Sequence, residues 1–359
     1  MNKKIIFAAG GTGGHIFPAI NLMKHFFDKG YKVLLVTDQR GSNFINSFSK
    51  FNSHIIKTET LTNKNILKKI YSIFIILYSL LKSIFIINKE KPDLIIGFGG
   101  HVSFPISFVS KFFNLPLLIY EPNLVLGRAN KYLLKFAKKI FLAKTIKENF
   151  PKKFNPKICE VGTILDKNVL NYSNFSKSNN ENVFSILILG GSQGAEIFGK
   201  VIPEVVKMIS KEGYNIEVKH QCIKSQKYSL IEYYKKNNIK NYVFEFDKNV
   251  IKLILSSDLA ITRCGASTTA ELAHTLTPFI AVPLPGSIDN HQYLNAKFYK
   301  DRGCCWIIEQ KNLNKENLFN LIMETIKNKN KLETVRNNMK KIYSNKVYDN
   351  IENQVKQFI

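Results

Sequence analysis

The chain has 359 residues, enough for two domains and for a core that needs no covalent staples. Hydrophobic residues make up 45%, which excludes wholesale disorder, and a formal charge of +25 calls for an anionic partner or a tolerant solvent. Nucleic acid is the first partner to test and finds no support: no zinc-finger spacing, RNA-recognition signature or basic region with heptads occurs. The five cysteines, at 159, 222, 264, 304 and 305, form no Cys-x-x-Cys. That argues against a disulfide framework and a metal site, and it fits a reducing cytosol.

In chain order, residues 4–9 are apolar and run into Gly10-Gly11-Thr12-Gly13-Gly14-His15. No small-residue cleavage site follows, so this is a buried strand and a glycine turn rather than a signal peptide. A second strand is expected at 33–36. Residues 70–87 (IYSIFIILYSLLKSIFII) reach the length of a spanning helix, but Lys82 interrupts them and lysines flank both ends. Strands on either side favour a long core helix; a spanning helix and an interfacial helix on an anionic membrane are the alternatives. Residues 93–96 run into Gly97-Phe98-Gly99-Gly100-His101, and strand-like runs follow at 117–120 and 140–143. The Ser- and Asn-rich stretch 168–182 reads as a linker or a long loop opening a second domain. Residues 183–189 then run into Gly190-Gly191-Ser192-Gln193-Gly194, with further strands expected at 259–262 and 279–282 and helices after 312. Strands alternating with helices imply parallel sheets with right-handed crossovers. The expected architecture is α/β: two Rossmann-like domains facing a central cleft, 1–162 and 163–342, with the helix 343–359 crossing back to the first.

A strand, a glycine turn and a helix present unpaired N–H groups and a positive dipole end, a site suited to phosphate. Several enzyme classes use it. Gly11-x-Gly13 begins a dinucleotide fingerprint, with Asp38 near the position of a ribose carboxylate, but Ile16 stands where Gly or Ala is needed. Gly194 to Gly199-Lys200 imitates a P-loop, but Val201 replaces the hydroxyl that holds Mg²⁺. Gly190-Gly191-Ser192-Gln193-Gly194 satisfies the nucleophile elbow of an α/β-hydrolase, with Asp258 or Asp289 and His274 or His291 in the required order. A fourth cluster runs from Asp258 through Arg263, Gly265, Ala266, Ser267, Thr268 and Thr269 to Glu271. There Ser267 is expected to cap a helix whose N–H groups hold a nucleotide diphosphate, while the Glu271 carboxylate accepts the ribose hydroxyls.

Six motifs in order, GGTGGHIFPA (10–19), GFGGHVSFP (97–105), EPNLVLGRANK (121–131), LGGSQGA (189–195), TRCGASTTAELA (262–273) and DNHQYLNA (289–296), resemble the MurG family of UDP-N-acetylglucosamine:lipid I N-acetylglucosaminyltransferases. The resemblance covers nearly the whole chain. It implies the GT-B fold, an acceptor held mainly by the first domain and a UDP-sugar held mainly by the second. It implies inverting transfer of GlcNAc from UDP-GlcNAc to the 4-hydroxyl of the muramoyl sugar of lipid I, giving lipid II, with no cofactor. No Asp-x-Asp occurs, so helix N-termini and glycine loops must take up the leaving-group charge. Another GT-B enzyme, such as a UDP-GlcNAc 2-epimerase, is the alternative within the fold.

By the same resemblance, Thr12, Gly13 and Gly14 meet the sugar donor and the acceptor diphosphate, and His15 is the best candidate for the general base. Glu121 and His101 are further candidates for the base or for an acceptor contact. Asn123 contacts GlcNAc, Ser192 hydrogen-bonds the diphosphate, Ala266, Ser267, Thr268, Thr269 and Glu271 line the nucleotide, and Gln292 reads GlcNAc hydroxyls. The resemblance implies an arginine where this chain has Asp166; either another cation substitutes, with Arg263 and Lys248 as candidates, or donor affinity is lower, or the alignment fails locally. Charge is lopsided: residues 1–162 hold 25 basic and 8 acidic side chains, against 27 and 19 in the rest. That points to an anionic membrane surface as a partner, met by Lys64, Lys68, Lys69, Lys82, Lys89, Lys135, Lys138 and Lys139. The expected location is peripheral, on the cytoplasmic face of the bacterial inner membrane.

Overall fold

The apolar runs that end in glycine form parallel strands. The computed structural model describes residues 3–11, 13–45, 51–59, 65–146, 150–170, 183–191, 194–342 and 346–359. Its strands are β1 (Lys4–Ala8), β2 (Lys32–Thr37), β3 (Asn52–Ile55), β4 (Leu94–Gly97), β5 (Leu117–Glu121), β6 (Lys139–Leu142), β7 (Ile158–Glu160), β8 (Phe184–Leu189), β9 (Ile216–Gln221), β10 (Lys240–Phe244), β11 (Leu259–Thr262), β12 (Phe279–Ala281) and β13 (Cys305–Ile307). The helices are α1 (Gly13–Asp28), α2 (Gln39–Ile45), α3 (Ile66–Glu90), α4 (Gly100–Val109), α5 (Arg128–Leu133), α6 (Lys167–Leu170), α7 (Glu196–Lys211), α8 (Lys227–Lys236), α9 (Val250–Leu255), α10 (Ala266–His274), α11 (His291–Lys300), α12 (Lys315–Lys327), α13 (Lys329–Lys340) and α14 (Val347–Val355). The chain divides into two compact units, one of residues 1–166 and 344–359, the other of residues 167–343.

The first unit is a seven-stranded parallel sheet in the order β3-β2-β1-β4-β5-β6-β7. Ile5 pairs with Val33 on one side and Leu94 on the other, so β1 is an interior strand, next to the central β4, whose four residues are all buried. Ile6, Ala8, Ile95, Ile119 and Ile140 face α3, α4 and α5 and form one buried cluster with them. The second unit has a six-stranded parallel sheet, β10-β9-β8-β11-β12-β13. Its strand residues alternate between two cores. Ile186, Ile188, Leu259 and Ile261 pack towards α7 and α12. Leu187, Leu189, Ala260 and Phe279 pack towards the opposite face, with α10 and α11. Period-two alternation between two apolar layers is what a parallel sheet covered on both faces requires.

The C-terminal helix α14 belongs to the first unit. His25 Nε2 of α1 lies 2.9 Å from the Glu352 carboxylate, which also pairs with Lys356 at 2.6 Å, and the Tyr348 hydroxyl donates to Leu165 O at 2.5 Å. The Lys356 and His25 contacts hold the Glu352 carboxyl below its ordinary pKa.

The core-helix expectation for residues 70–87 needs correcting. The helix forms, as α3, but only a third of its most apolar 18-residue window is buried. Its inward stripe is rich in serine. Ser72, Ser79 and Ser83 are buried, and their hydroxyls donate to carbonyls of the preceding turn. That satisfies the polar atoms and keeps the stripe narrow against α4. Tyr71, Phe74, Leu77, Tyr78, Leu81 and Phe85 are exposed. By length and composition alone the helix is long and apolar enough to cross a membrane. Residue count and hydropathy are the same for a core helix and for one with an open apolar face, so only the packing separates them.

Candidate active site

In the first unit three of the glycine motifs converge at the C-terminal ends of β1, β4 and β5. A Cβ on Gly10 would stand 2.6 Å from Val102, so the first loop can lie against α4 only as glycine. Gly99 and Gly100 both have positive φ, +81° and +74°, which glycine adopts without strain. The His15 ring packs against this turn. Its Cε1 would lie 3.3 Å from a Cβ on Gly99, and Asn130 Nδ2 would lie 3.2 Å from the same point. His15, the Gly99-Gly100 turn and Asn130 are thus neighbours, although they are far apart in the chain. His101 lies beside Gly11, 3.9 Å from where a Cβ there would stand. Gly13 and Gly14 form the first turn of α1, and Thr12 lies outside the described residues.

Glu121, at the end of β5, is fully buried, and its carboxylate collects four N–H donors. Oε1 accepts from the Asn123 backbone N–H at 3.2 Å and from Asn123 Nδ2 at 3.1 Å. Oε2 accepts from the Gly127 N–H at 2.8 Å and from Asn130 Nδ2 at 3.0 Å. Burial pushes the carboxyl pKa up, and these four donors oppose that rise. A carboxylate offers about four lone-pair sites, so Glu121 has none left for a substrate proton. It organises the 121–130 loop, including Asn123, and the base reading of Glu121 is not supported by this geometry. Asn130 joins Glu121 to the glycine turn, and its place inside the EPNLVLGRANK motif is the sequence signal for that role.

Asp38 is engaged through one of its two oxygens. Its Oδ1 accepts from the Gly41 N–H at 2.8 Å, capping α2, and from the Gly11 N–H at 3.3 Å. A dehydrogenase would need that carboxylate for a ribose. The P-loop reading fails for a different reason: Gly199 and Lys200 lie inside α7, where Lys200 pairs with Glu196 one turn earlier.

In the second unit the C-terminal ends of β8, β11 and β12 gather the remaining motifs. Gly191 and Gly194 have φ of +80° and +70°, and α7 begins at Glu196; Ser192 lies outside the described residues. The hydrolase constellation does not assemble around Asp258, whose Oδ2 accepts from the Ser185 N–H at the start of β8, the far end of that strand from Gly190. The cap of α10 differs from expectation. The N-cap is Gly265, which has no side chain to offer, and Ser267 stands two residues inside the helix. Its Oγ is buried, with no hydrogen-bond partner among the described residues. The Thr269 hydroxyl donates back to Gly265 O at 3.0 Å, so it steadies the turn from behind. The helix therefore starts with N–H groups that no side chain caps, and with Ala266, Ser267 and Thr268 in its first turn. Glu271 follows within the same helix.

The loop after β12 ends in two residues with left-handed backbone, Asp289 (φ 52°) and Asn290 (φ 54°), the side chains that tolerate this best after glycine. They turn the chain into α11, where the Gln292 Oε1 accepts from the Cys264 and Leu284 N–H groups at 3.0 Å each. Two N–H donors require the carbonyl end there, so Nε2 is the end directed away from the clamp. His291 Nδ1 lies 2.8 Å from Ile288 O; a carbonyl only accepts, so that nitrogen carries a proton. The Asp166 carboxylate lies 3.8 Å from Lys24 Nζ of α1.

Comparison with known proteins agrees with this arrangement. Residues 5–142 match the glycosyltransferase family 28 N-terminal domain, and residues 185–354 match the glycosyltransferase family 28 C-terminal domain. A protein of Pelagibacter ubique (strain HTCC1062) is 36% identical over 351 residues, covering 98% of this chain and 97% of its own. Its name is UDP-N-acetylglucosamine--N-acetylmuramyl-(pentapeptide) pyrophosphoryl-undecaprenol N-acetylglucosamine transferase. A protein of the same name from Rickettsia canadensis (strain McKiel) is 35% identical, covering 94% of this chain and 95% of its own. The crystal structure of Acinetobacter baumannii MurG superposes with a TM-score of 0.78 at 25% identity, covering 99% of both chains. The two parallel-sheet α/β domains are those of the GT-B fold. The chain is a member of glycosyltransferase family 28.

Proposed function

We propose that this chain is the inverting transferase that moves GlcNAc from UDP-GlcNAc to the 4-hydroxyl of the muramoyl sugar of lipid I, giving lipid II. The observation that carries the reading is identity above 30% to so-named relatives over nearly the full length of both chains. The second unit is the donor side. The uncapped N-terminus of α10, with Ser267, and the glycine loop holding Ser192 suit the diphosphate; Glu271 suits the ribose and Gln292 the sugar. The first unit is the acceptor side, with Thr12, Gly13, Gly14 and Asn123 towards the sugars and the acceptor diphosphate. In the transfer step the acceptor oxygen attacks the anomeric carbon while the bond from that carbon to the UDP phosphate oxygen breaks. The electron pair leaves with UDP, and the hydroxyl proton passes to His15.

Purified protein supplied with UDP-GlcNAc and a lipid I analogue is expected to release UDP only when the acceptor is present. UDP release without acceptor would overturn the reading in favour of an epimerase or a hydrolase. His15→Ala is expected to lower turnover about 100-fold with UDP-GlcNAc affinity retained. Unchanged turnover would remove His15 from the base role.

The same reading puts the first unit on an anionic membrane surface at the cytoplasmic face of the inner membrane. The exposed apolar face of α3 supports it, with Lys68, Lys69 and Lys89 exposed on that helix. Lys64 lies outside the described residues. The protein is expected to float with phosphatidylglycerol vesicles and not with phosphatidylcholine vesicles, and substitution of Phe74, Leu77 and Leu81 by Asp should abolish flotation. Equal flotation with both lipids would overturn the anionic-surface reading.

A further inference from the structure

The second unit holds a buried cation without a counter-ion. Arg263 follows β11, and its backbone N–H pairs with Leu189 O. Its side chain turns inward, leaving the residue 7% exposed. Nη1 donates to Val282 O and to Pro283 O at 3.1 Å each, and Nη2 donates to Gln310 Oε1 at 2.5 Å. The guanidinium lies 4.9 Å from the centre of the Phe198 ring. Among the described residues no carboxylate is within salt-bridge distance. Three hydrogen bonds and an aromatic face offset the desolvation of the charge instead.

The carbonyls that Arg263 collects are those the sheet cannot use. The Val282 N–H makes the last bond of the ladder, to Thr262 O. Pro283 follows with no N–H, so the strand cannot continue, and Arg263 fixes where the chain leaves the sheet. The two N–H groups that clamp Gln292 are the immediate neighbours of this grip. Cys264 adjoins Arg263, and Leu284 adjoins Pro283. Asn295 Nδ2 adds a bond to Cys264 O at 3.1 Å.

We infer that Arg263 is a positioning residue for the sugar end of the donor: its grip on Val282 and Pro283 sets the Cys264–Leu284 clamp that orients Gln292. The inference rests on the sugar-nucleotide reading above. It also weighs against Arg263 as the substitute expected for the family arginine, because both Nη1 donors are spent on backbone carbonyls and Nη2 is held by Gln310. A lysine cannot reproduce the fork, since one ammonium cannot span both carbonyls and Gln310 with the same geometry.

The test is titration calorimetry of UDP and of UDP-GlcNAc on wild type, Arg263→Lys and Gln310→Ala, with thermal unfolding confirming that each is folded. Arg263→Lys is expected to bind UDP-GlcNAc about tenfold more weakly, with UDP within about twofold of wild type. Gln310→Ala, which keeps the arginine, is expected to show the same pattern at about threefold, and it carries the test if Arg263→Lys does not fold. Equal weakening of both ligands would overturn the inference, because the charge would then act on the diphosphate. No change in either ligand would overturn it as well. Wild-type protein that binds neither ligand would overturn the sugar-nucleotide reading and this inference together.

Discussion

The two units share a sheet topology and a chemistry of glycine turns, yet they organise their site loops with opposite charges. In the first, the buried Glu121 carboxylate gathers N–H groups from residues 123–130. In the second, the buried Arg263 guanidinium gathers the carbonyls of Val282 and Pro283. The consequence for a ligand is direct. A loop whose N–H groups are turned inward has fewer left for phosphate, whereas a loop whose carbonyls are turned inward keeps its N–H groups for other partners. The 121–130 loop therefore suits sugar contacts through side chains such as Asn123. Under the proposed function, phosphate in the first unit goes to the glycine turn at the start of α1.

The strongest way to break this comparison is to remove one organiser. Glu121→Gln keeps the shape but turns an amide NH₂ towards two of the four donors. Each orphaned buried donor costs about 1–3 kcal/mol, so a large loss of thermal stability is expected together with loss of transfer. A variant that melts like wild type and loses only turnover, with a shifted pH–rate profile, would restore Glu121 as a base and end the symmetry with Arg263.

A second test concerns the second unit alone. His220 is fully buried with its Nδ1 2.9 Å from the Tyr234 hydroxyl, and burial lowers its pKa from 6.5 to about 3. The unfolded chain then binds the extra proton below pH 6.5 and the folded unit does not, so stability falls with pH from there towards 3. About 2 kcal/mol is expected to be lost between pH 7 and 5 from this group. Denaturant melts of wild type and His220→Gln at both pH values check it: the variant should lose less on acidification, and identical slopes would mean that His220 is not held neutral.

The smallest effect sharpens the loop geometry. Asn290 occupies the left-handed region at φ 54°, so Asn290→Gly should be neutral or stabilising by less than about 1 kcal/mol. Asn290→Val should destabilise. The reverse order would contradict the turn that delivers His291 and Gln292.

Legibility in the sequence followed local pattern. The central strands β1, β4, β8, β11 and β12 are continuous apolar runs, four of them closed by a glycine or by a Cys-Gly pair, and all were readable. β9 was not, because Lys219 and His220 interrupt its sequence. Both are buried, and their partners come from elsewhere in the unit: Ser256 and Ser257 for the lysine, Tyr234 for the histidine. The edge strands β3, β7, β10 and β13 are short or half-exposed, so their patterns carry little signal. Ser267 is a good capping residue by type, but the backbone places Gly265 at the cap of α10.

The sequence by itself determined the central strands alternating with helices, the glycine turns at the ends of parallel strands and the resemblance to the MurG family. Those properties are local, or repeat along the chain in fixed order. Only the tertiary structure decided that Glu121 is an organiser with every lone pair used, that Arg263 grips a proline-rich loop, and that most of α3 faces outward. Each depends on which distant groups surround a side chain, and neither residue type nor spacing encodes that.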